Sequence, residues 1–105
     1  MTAYHKALLE CGKRYREMLD TFIDDNDYWG WGKTSASSEG ANALWLFIDE
    51  FSQGCNNELP LMKLNRWLGY IQGSLIQWGV TTVEIERDWT RPLFRPLDFP
   101  EEQNA

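Results

Sequence analysis

Three long stretches of this chain place apolar residues alternately four and three positions apart, which is the spacing of one face of an α-helix. The stretches cover residues 2–23, 38–52 and 60–78. The apolar stripe of the first stretch consists of Tyr4, Leu8, Cys11, Tyr15, Met18 and Phe22. No stretch shows the strict alternation of apolar and polar residues that is typical of a half-buried β-strand. The spacing therefore predicts an all-α fold in which each helix buries one face.

The second and third helices are predicted to bury stripes of different width. The stripe of the second helix consists of Ala41, Leu44, Ile48 and Phe51, with Phe47 and Trp45 at its edges. Leu46 falls on the opposite, polar side, where we expect it to be exposed. The stripe of the third helix consists of Leu61, Leu64, Leu68, Ile71, Leu75 and Trp78. Its wider arc takes in Asn65 and Gln72, so both amides are predicted to have buried hydrogen-bond partners.

The last third of the chain combines a helix signal with three prolines. Thr81 and Glu84 fit a capping box, which predicts a short fourth helix over residues 82–90. Prolines then recur every four residues, and they lack the backbone N–H that a helix interior needs. Residues 91–100 are therefore predicted to form an extended arm, whose apolar side chains pack on the protein's own helices or on a partner. We expect residues 101–105 to fray.

Length and composition are those of an ordinary globular chain. A total of 105 residues, 43% of them hydrophobic and 25% charged, suits one domain, which we place at residues 1–100. The predicted architecture is a small bundle of three longer helices plus one short helix. The chain has no apolar run long enough to span a membrane, and its start does not fit a signal peptide. Because Cys11 and Cys55 are too few for a disulfide framework, we expect a reduced, cytoplasmic protein.

The negative charge is concentrated in one central segment. Residues 24–58 contain seven acidic side chains but a single basic one, Lys33, so this segment accounts for the whole formal net charge of −6. That sign is unfavourable for binding nucleic acid through phosphate contacts. A localised negative field is typical of a solvated face or of a surface that binds a basic partner.

Two ligand-binding motifs are present only in part. Gly32-Lys33-Thr34 has the end of a phosphate-binding loop, but Asp27 stands where that loop needs a glycine, and a helix precedes it. Asp25, Asp27 and Gly30 have the spacing of half an EF-hand loop, but Ala36 stands where the bidentate glutamate is required. We therefore predict no cofactor and no metal.

Groups suited to catalysis are few and scattered. His5 is the only histidine and lies near the N-terminus, which is expected to fray, so it is a poor base for an organised site. Asp49 and Glu50 occupy adjacent helix positions, so the two carboxylates do not face each other. No constellation of convergent titratable groups is evident. We therefore predict no catalytic residues and a protein that is not an enzyme.

Two of the six tryptophans have no helical stripe to explain them. Trp29 and Trp31 stand with Tyr28 in an acidic, glycine-containing loop between the first two helices. Large rings on such a loop are typical of an interaction hot spot, and they equally suit a cap that folds back over the bundle. The residues predicted to bind a partner are Asp25, Asp27, Tyr28, Trp29, Trp31, Leu46, Asp49 and Glu50.

Two segments of the last third resemble known proteins. The segments are Leu64-Asn65-Arg66-Trp67-Leu68-Gly69-Tyr70-Ile71-Gln72-Gly73 and Glu86-Arg87-Asp88-Trp89-Thr90-Arg91-Pro92. Over these residues the chain resembles short uncharacterised proteins of tailed bacteriophages. The resemblance implies a bacterial cytoplasm during infection or lysogeny as the setting, and binding of a host or defence protein as the mode of action. It transfers no functional residues.

Together these observations predict a small phage-type interaction protein that binds a host or defence macromolecule through an acidic, Trp-bearing surface. Such binding inhibits or redirects the target, as in host takeover or anti-defence activity. The alternative is a structural or regulatory homo-oligomer, in which the Leu46 surface or the repeated Arg-Pro-Leu segment of the arm pairs between identical chains. Neither nucleic acid nor a membrane is an expected partner.

Overall fold

The computed structural model describes residues 1–26 and 36–101, with side chains described from residue 39 onward in the second range. Within these residues the chain forms four α-helices in succession. They are α1 (Ala3–Asn26), α2 (Ala36–Asn56), α3 (Leu61–Gln77) and α4 (Val83–Asp98). No strand occurs in the two described ranges, so the predicted all-α fold class is confirmed there. In the same residues, no helix combines the length and the apolar character needed to cross a membrane.

The core lies where α1, α2 and α3 meet. Its apolar side chains are withdrawn from water, which stabilises a fold by about 25 cal/mol for each Å² buried. The core residues are Leu8, Cys11, Tyr15, Leu19, Ile23, Ala41, Leu44, Ile48, Phe51, Cys55, Leu64, Leu68, Ile71 and Leu75. The predicted stripe of α2 is therefore buried in full, and so are the four central positions of the α3 stripe.

The buried stripe of α1 departs from the prediction in the second half of the helix. Leu19 and Ile23 are fully buried, whereas Met18 and Phe22 are only partly buried at the edge of the core. Both pairs satisfy the four-residue spacing, so the sequence pattern does not distinguish them. Phe22 instead stacks on Trp78 at the end of α3, with ring centroids 6.2 Å apart.

Helix α2 continues beyond its predicted end at residue 52. Gly54 lies within the helix and serves close packing rather than ending it. A Cβ atom at Gly54 would lie 2.9 Å from the Leu59 side chain, so glycine permits the close approach of the α2–α3 connection. The helix ends later, in a Schellman motif with Glu58 in the left-handed region (φ 53°). Cys55, which the sequence places in a loop, is consequently buried in the last turn of α2.

The buried arc of α3 is narrower than its apolar pattern indicates. Gln72 donates a hydrogen bond to the Tyr15 hydroxyl at 2.9 Å, which confirms the expected partner. Asn65 is exposed, so the prediction that its amide is buried is wrong. The reason is that α1 and α2 cover only one side of α3, and Met62 is exposed as well. The helix ends at Gly79 (φ 72°), as predicted, in a second Schellman motif.

The fourth helix is longer than predicted. Its N-cap is Thr82, whose hydroxyl accepts a hydrogen bond from the Ile85 N–H at 3.2 Å. It continues through Pro92 and Pro96 to Asp98, so the extended arm predicted for residues 91–100 is wrong for residues 91–98. Each proline removes one backbone hydrogen bond and crowds the carbonyl of the preceding turn. Leu93 and Phe94, which follow Pro92, pack against the core, and this packing favours continuing the helix.

Candidate functional site

Two of the predicted contact residues, Leu46 and Glu50, lie on the outward side of α2. Glu39, Ala43, Leu46 and Glu50 are spaced four, three and four residues apart on the side opposite the core, and all are exposed. We call these four residues the α2 outer face. Leu46 is 64% exposed, as its position in the pattern predicts. The helix carries three acidic residues and no lysine or arginine, so Leu46 lies within a negative surface.

Asp49 does not belong to the α2 outer face, although the sequence places it among the predicted contact residues with Leu46 and Glu50. Its carboxylate lies 3.3 Å from the Arg16 guanidinium of α1 and accepts a hydrogen bond from Gln53 at 2.9 Å. Arg16 also lies over the Trp45 ring, 4.5 Å from its centroid. The indole N–H of Trp45 in turn donates to Asp20 at 2.8 Å. Asp49 is thus part of the polar edge that joins α1 to α2.

Of the remaining predicted contact residues the structure describes only Asp25, which does not belong to the α2 outer face. Asp25 is exposed near the end of α1 and lines a groove with Arg14, Phe22 and Val80. That groove lies on the side of α1 where α4 is attached, whereas α2 packs on the side of Arg16 and Asp20. The predicted contact residues Asp27, Tyr28, Trp29 and Trp31 lie outside the described residues.

A buried polar cluster joins α4 to α1, and sequence reasoning missed it. Glu86 is 5% exposed and is the only buried residue of α4. Its carboxylate accepts hydrogen bonds from the Arg14 guanidinium at 2.8 Å, the Tyr15 hydroxyl at 2.5 Å and the Thr81 hydroxyl at 2.5 Å. We call these residues, together with Gln72, the Glu86 cluster.

The Glu86 cluster holds its carboxylate in the charged form. Burial alone raises the pKa of Glu86, but the hydrogen bonds from Arg14, Thr81 and Tyr15 outweigh it, so the pKa lies below its ordinary value. Burial and the hydrogen bond to Glu86 raise the pKa of Tyr15. Arg14 also lies over the Trp89 ring at 4.7 Å. Because both carboxylate oxygens are occupied by partners within the fold, the cluster acts as a clamp between helices.

The clamp had one signal in the sequence. Glu86 occupies the same helical side as Trp89, Leu93 and Leu97, so it is a charged residue in an apolar stripe. A charge in that position requires a partner, since an unpaired buried charge is costly. The partner itself is on α1, and no local spacing indicates which of its basic residues meets Glu86.

His5 is buried and connects two parts of the chain. Its Nε2 lies 2.9 Å from the Leu59 carbonyl oxygen, and its Nδ1 lies 2.6 Å from the Thr2 hydroxyl. Only a donor suits the carbonyl, so Nε2–H donates to Leu59 and Nδ1 accepts from Thr2. Both ring nitrogens are thereby used to attach the start of α1 to the α2–α3 connection.

The two cysteines are buried thiols of the core. Both Cys11 and Cys55 are free, and burial raises the pKa of Cys11 to about 12 and that of Cys55 to about 11. At neutral pH they are therefore protonated and weakly nucleophilic. Among the described residues, no group of three or more potential ligands is placed to hold a metal ion.

The surface of the described residues thus offers one apolar side chain within an acidic helix face, while the reactive groups of the interior are occupied by structural contacts. Comparison with models of protein families, with curated proteins and with solved structures finds no match to this chain.

Proposed function

We propose that this chain is a small, non-enzymatic interaction protein of phage type, which binds a host or defence macromolecule in the bacterial cytoplasm and inhibits or redirects it. The observation that carries the proposal is the α2 outer face. Leu46 is 64% exposed in the middle of a helix with only acidic charges, and it is not part of the core that the described residues form. Such an apolar anchor with a charged rim is the typical layout of a protein interface.

The charge of the face favours a partner with a basic surface. Glu39 and Glu50 lie on either side of Leu46 along the helix, and both are exposed. Opposite potentials across an interface accelerate association and exclude wrong partners. The same sign disfavours nucleic acid, whose phosphates would be repelled. In the proposal, Trp29 and Trp31 also contact the partner.

The interior of the molecule supports a non-enzymatic role. A general base needs a free lone pair, and a nucleophile needs a lowered pKa. His5 uses both of its ring nitrogens in the fold, and Glu86 uses both of its carboxylate oxygens. The thiols of Cys11 and Cys55 have raised pKa values. These groups therefore stabilise the fold through internal contacts.

The test is affinity purification from the bacterial host, followed by titration of the purified partner against matched variants. Leu46→Arg places a positive charge at the centre of the α2 outer face, and we expect at least tenfold weaker binding, which is the loss typical of a hot spot. Ile85→Arg makes the same change at a 52% exposed position of α4 and should bind as the wild type does.

A second variant addresses the tryptophan loop. Trp29→Ala with Trp31→Ala should abolish partner binding while the helical circular dichroism and the melting temperature stay unchanged. Loss of the fold in this double variant would show that the rings serve the core. Equal affinity of wild type and Leu46→Arg for the partner would rule out the α2 outer face as the contact surface.

A further inference from the structure

A second surface with matching chemistry lies on α3. Met62, Arg66, Gly69 and Gly73 are exposed on the side away from the core, and we call them the α3 outer face. A Cβ atom added at Gly69 or Gly73 would meet nothing within 4 Å, so nothing in the described part of the chain covers this backbone. Met62, 77% exposed, lies at one end of the strip, and Tyr70, 61% exposed, lies beside it.

The charges of the α3 and α2 outer faces are opposite. Helix α3 carries Lys63 and Arg66 and no acidic residue, whereas α2 carries three acidic residues and no basic one. Neither Glu50 nor Arg66 forms an ion pair with another residue in the described ranges. Each face therefore presents an exposed charge that the other is able to neutralise.

The two faces also share one spacing. The four residues of the α2 outer face are separated by four, three and four positions, and so are the four residues of the α3 outer face. If the helices run antiparallel with Glu50 opposite Arg66, three residues of each face overlap: Ala43 lies opposite Gly73, and Leu46 lies within one residue of Gly69. Small residues opposite each other allow the two helix backbones to approach closely. The antiparallel direction is also the favourable one for the two helix dipoles.

We propose that the α2 outer face of one copy docks on the α3 outer face of a second copy. The contact cannot form within one molecule, because α2 and α3 pack on each other through Phe47, Trp67 and Tyr70, with ring centroids 5.5 and 5.1 Å from Phe47. Each copy then offers both faces, one α2 outer face and one α3 outer face. Such a contact joins chains head to tail, unless the same two faces also meet in return and close a symmetric pair.

The contact is small, so the association is reversible. One helix crossing buries far less than the roughly 1,200 Å² of a standard stable interface. The oligomer therefore forms at high protein concentration and dissociates on dilution. Self-association does not require a foreign partner, but it uses the same α2 outer face, so a partner bound there competes with the second copy.

Sedimentation velocity of the purified full chain tests the proposal. The protein is measured between about 10 µM and about 1 mM, which covers the dissociation constants expected of a weak contact. The weight-average mass should rise with concentration for the wild type. It should stay monomeric for Glu50→Arg and for Arg66→Glu measured separately. An equimolar mixture of the two variants should associate again, because each chain then supplies the charge that the other has lost. The controls Glu10→Arg and Arg91→Glu reverse exposed charges elsewhere and should associate as the wild type does.

A variant that fills the glycine strip separates association from folding. Gly69→Ala with Gly73→Ala should raise the melting temperature of the monomer, because alanine favours a helix and an added Cβ meets nothing within the chain. The same change should weaken association at least several-fold, since the added methyl groups occupy the space for Leu46 and Ala43.

Three results would overturn the proposal: a wild type that stays monomeric at the highest concentration, association that survives both charge reversals, or a mixture that fails to associate. The last would show a contact of another kind. Failure of the proposed function is separately visible, because Arg66→Glu leaves the α2 outer face intact. That variant should lose self-association and still bind the foreign partner.

Discussion

The core between α1, α2 and α3 and the attachment of α4 are stabilised by different interactions. The core is apolar apart from the Tyr15 hydroxyl, and each of its residues is at most 7% exposed. Helix α4 buries a single residue, Glu86, and its apolar side chains Trp89, Leu93, Phe94 and Leu97 are only partly covered. The core therefore depends on summed contact area, whereas the position of α4 depends on a few directed hydrogen bonds. Loss of one contact should have unlike consequences in the two regions.

The largest effect is expected from a cavity in the core. Phe51→Ala removes a fully buried ring that packs beside Gly12 of α1, and it should lower the free energy of unfolding by about 3–5 kcal/mol. All four helices should then unfold together at a lower urea concentration. Phe99→Ala, at an exposed position, is the control and should change stability by less than about 0.5 kcal/mol. A small loss for Phe51→Ala would mean that the core is less tightly packed than described.

Removing the acceptor of the clamp should act locally. Glu86→Ala leaves the Arg14 guanidinium and two hydroxyls without their carboxylate, at a cost of about 2–3 kcal/mol, less than for a fully buried pair because Arg14 is partly exposed. Hydrogen exchange should show faster exchange of α4 amides, with α1–α3 still protected. Arg14→Met with Glu86→Leu should cost less than Glu86→Ala alone. Uniform loss of protection along the chain would contradict the division into two regions.

The clamp should also weaken in acid. The pKa of Glu86 is below its ordinary value of 4.5, so the folded state favours the carboxylate. Its contribution is fully present above that value and is lost as pH falls through the lower pKa of the folded state. The free energy of unfolding should be measured by urea titration between about pH 7 and about pH 3, a range that spans the ordinary carboxyl pKa. As pH falls, it should decline less steeply for Glu86→Gln than for the wild type. Parallel curves would show that other carboxylates dominate.

The smallest effect is a gain. Pro92 interrupts the hydrogen-bond ladder of α4 at an exposed position, so Pro92→Ala should stabilise the helix. The gain should be about 1–2 kcal/mol, because the roughly 3 kcal/mol helix penalty of proline is partly offset by its restriction of the unfolded chain. The variant should slow the exchange of α4 amides more than that of α1–α3. A loss of stability would show that the proline sets a bend needed for packing on α1.

The difference between the apolar core and the attachment of α4 also explains which structural features the sequence predicts. The stripe of α2, the four central positions of the α3 stripe, the helix end at Gly79 and the exposure of Leu46 follow from local spacing, and each is confirmed. The shift from Phe22 to Ile23 on α1 does not follow, because neighbouring positions satisfy one pattern and only the docked helices distinguish them. The continuation of α4 through its prolines depends on packing as well.

Charge pairing is the least predictable feature. Helical spacing predicts pairs between Glu10 and Arg14 and between Arg16 and Asp20. In the structure Arg14 pairs with Glu86, and Arg16 pairs with Asp49. Both real partners are distant in sequence, so no local pattern identifies them. For the candidate site, Leu46 and Glu50 were found from the pattern, while the assignment of Asp49 to the α1–α2 edge required the fold.

The separation of the clamp residues along the chain bears on the order of events during synthesis. Glu86 follows Arg14 by 72 positions, which at the usual rate of translation corresponds to roughly 4–14 seconds. The apolar parts of α1, α2 and α3 leave the ribosome before Glu86, so the hydrophobic core is able to form while Arg14 and the Tyr15 hydroxyl still lack their carboxylate partner. The arrival of α4 then completes the molecule as a late, separate step. A nascent chain stalled with α3 outside the ribosome and Glu86 still inside it would accordingly have a core protected from proteases and an accessible Arg14.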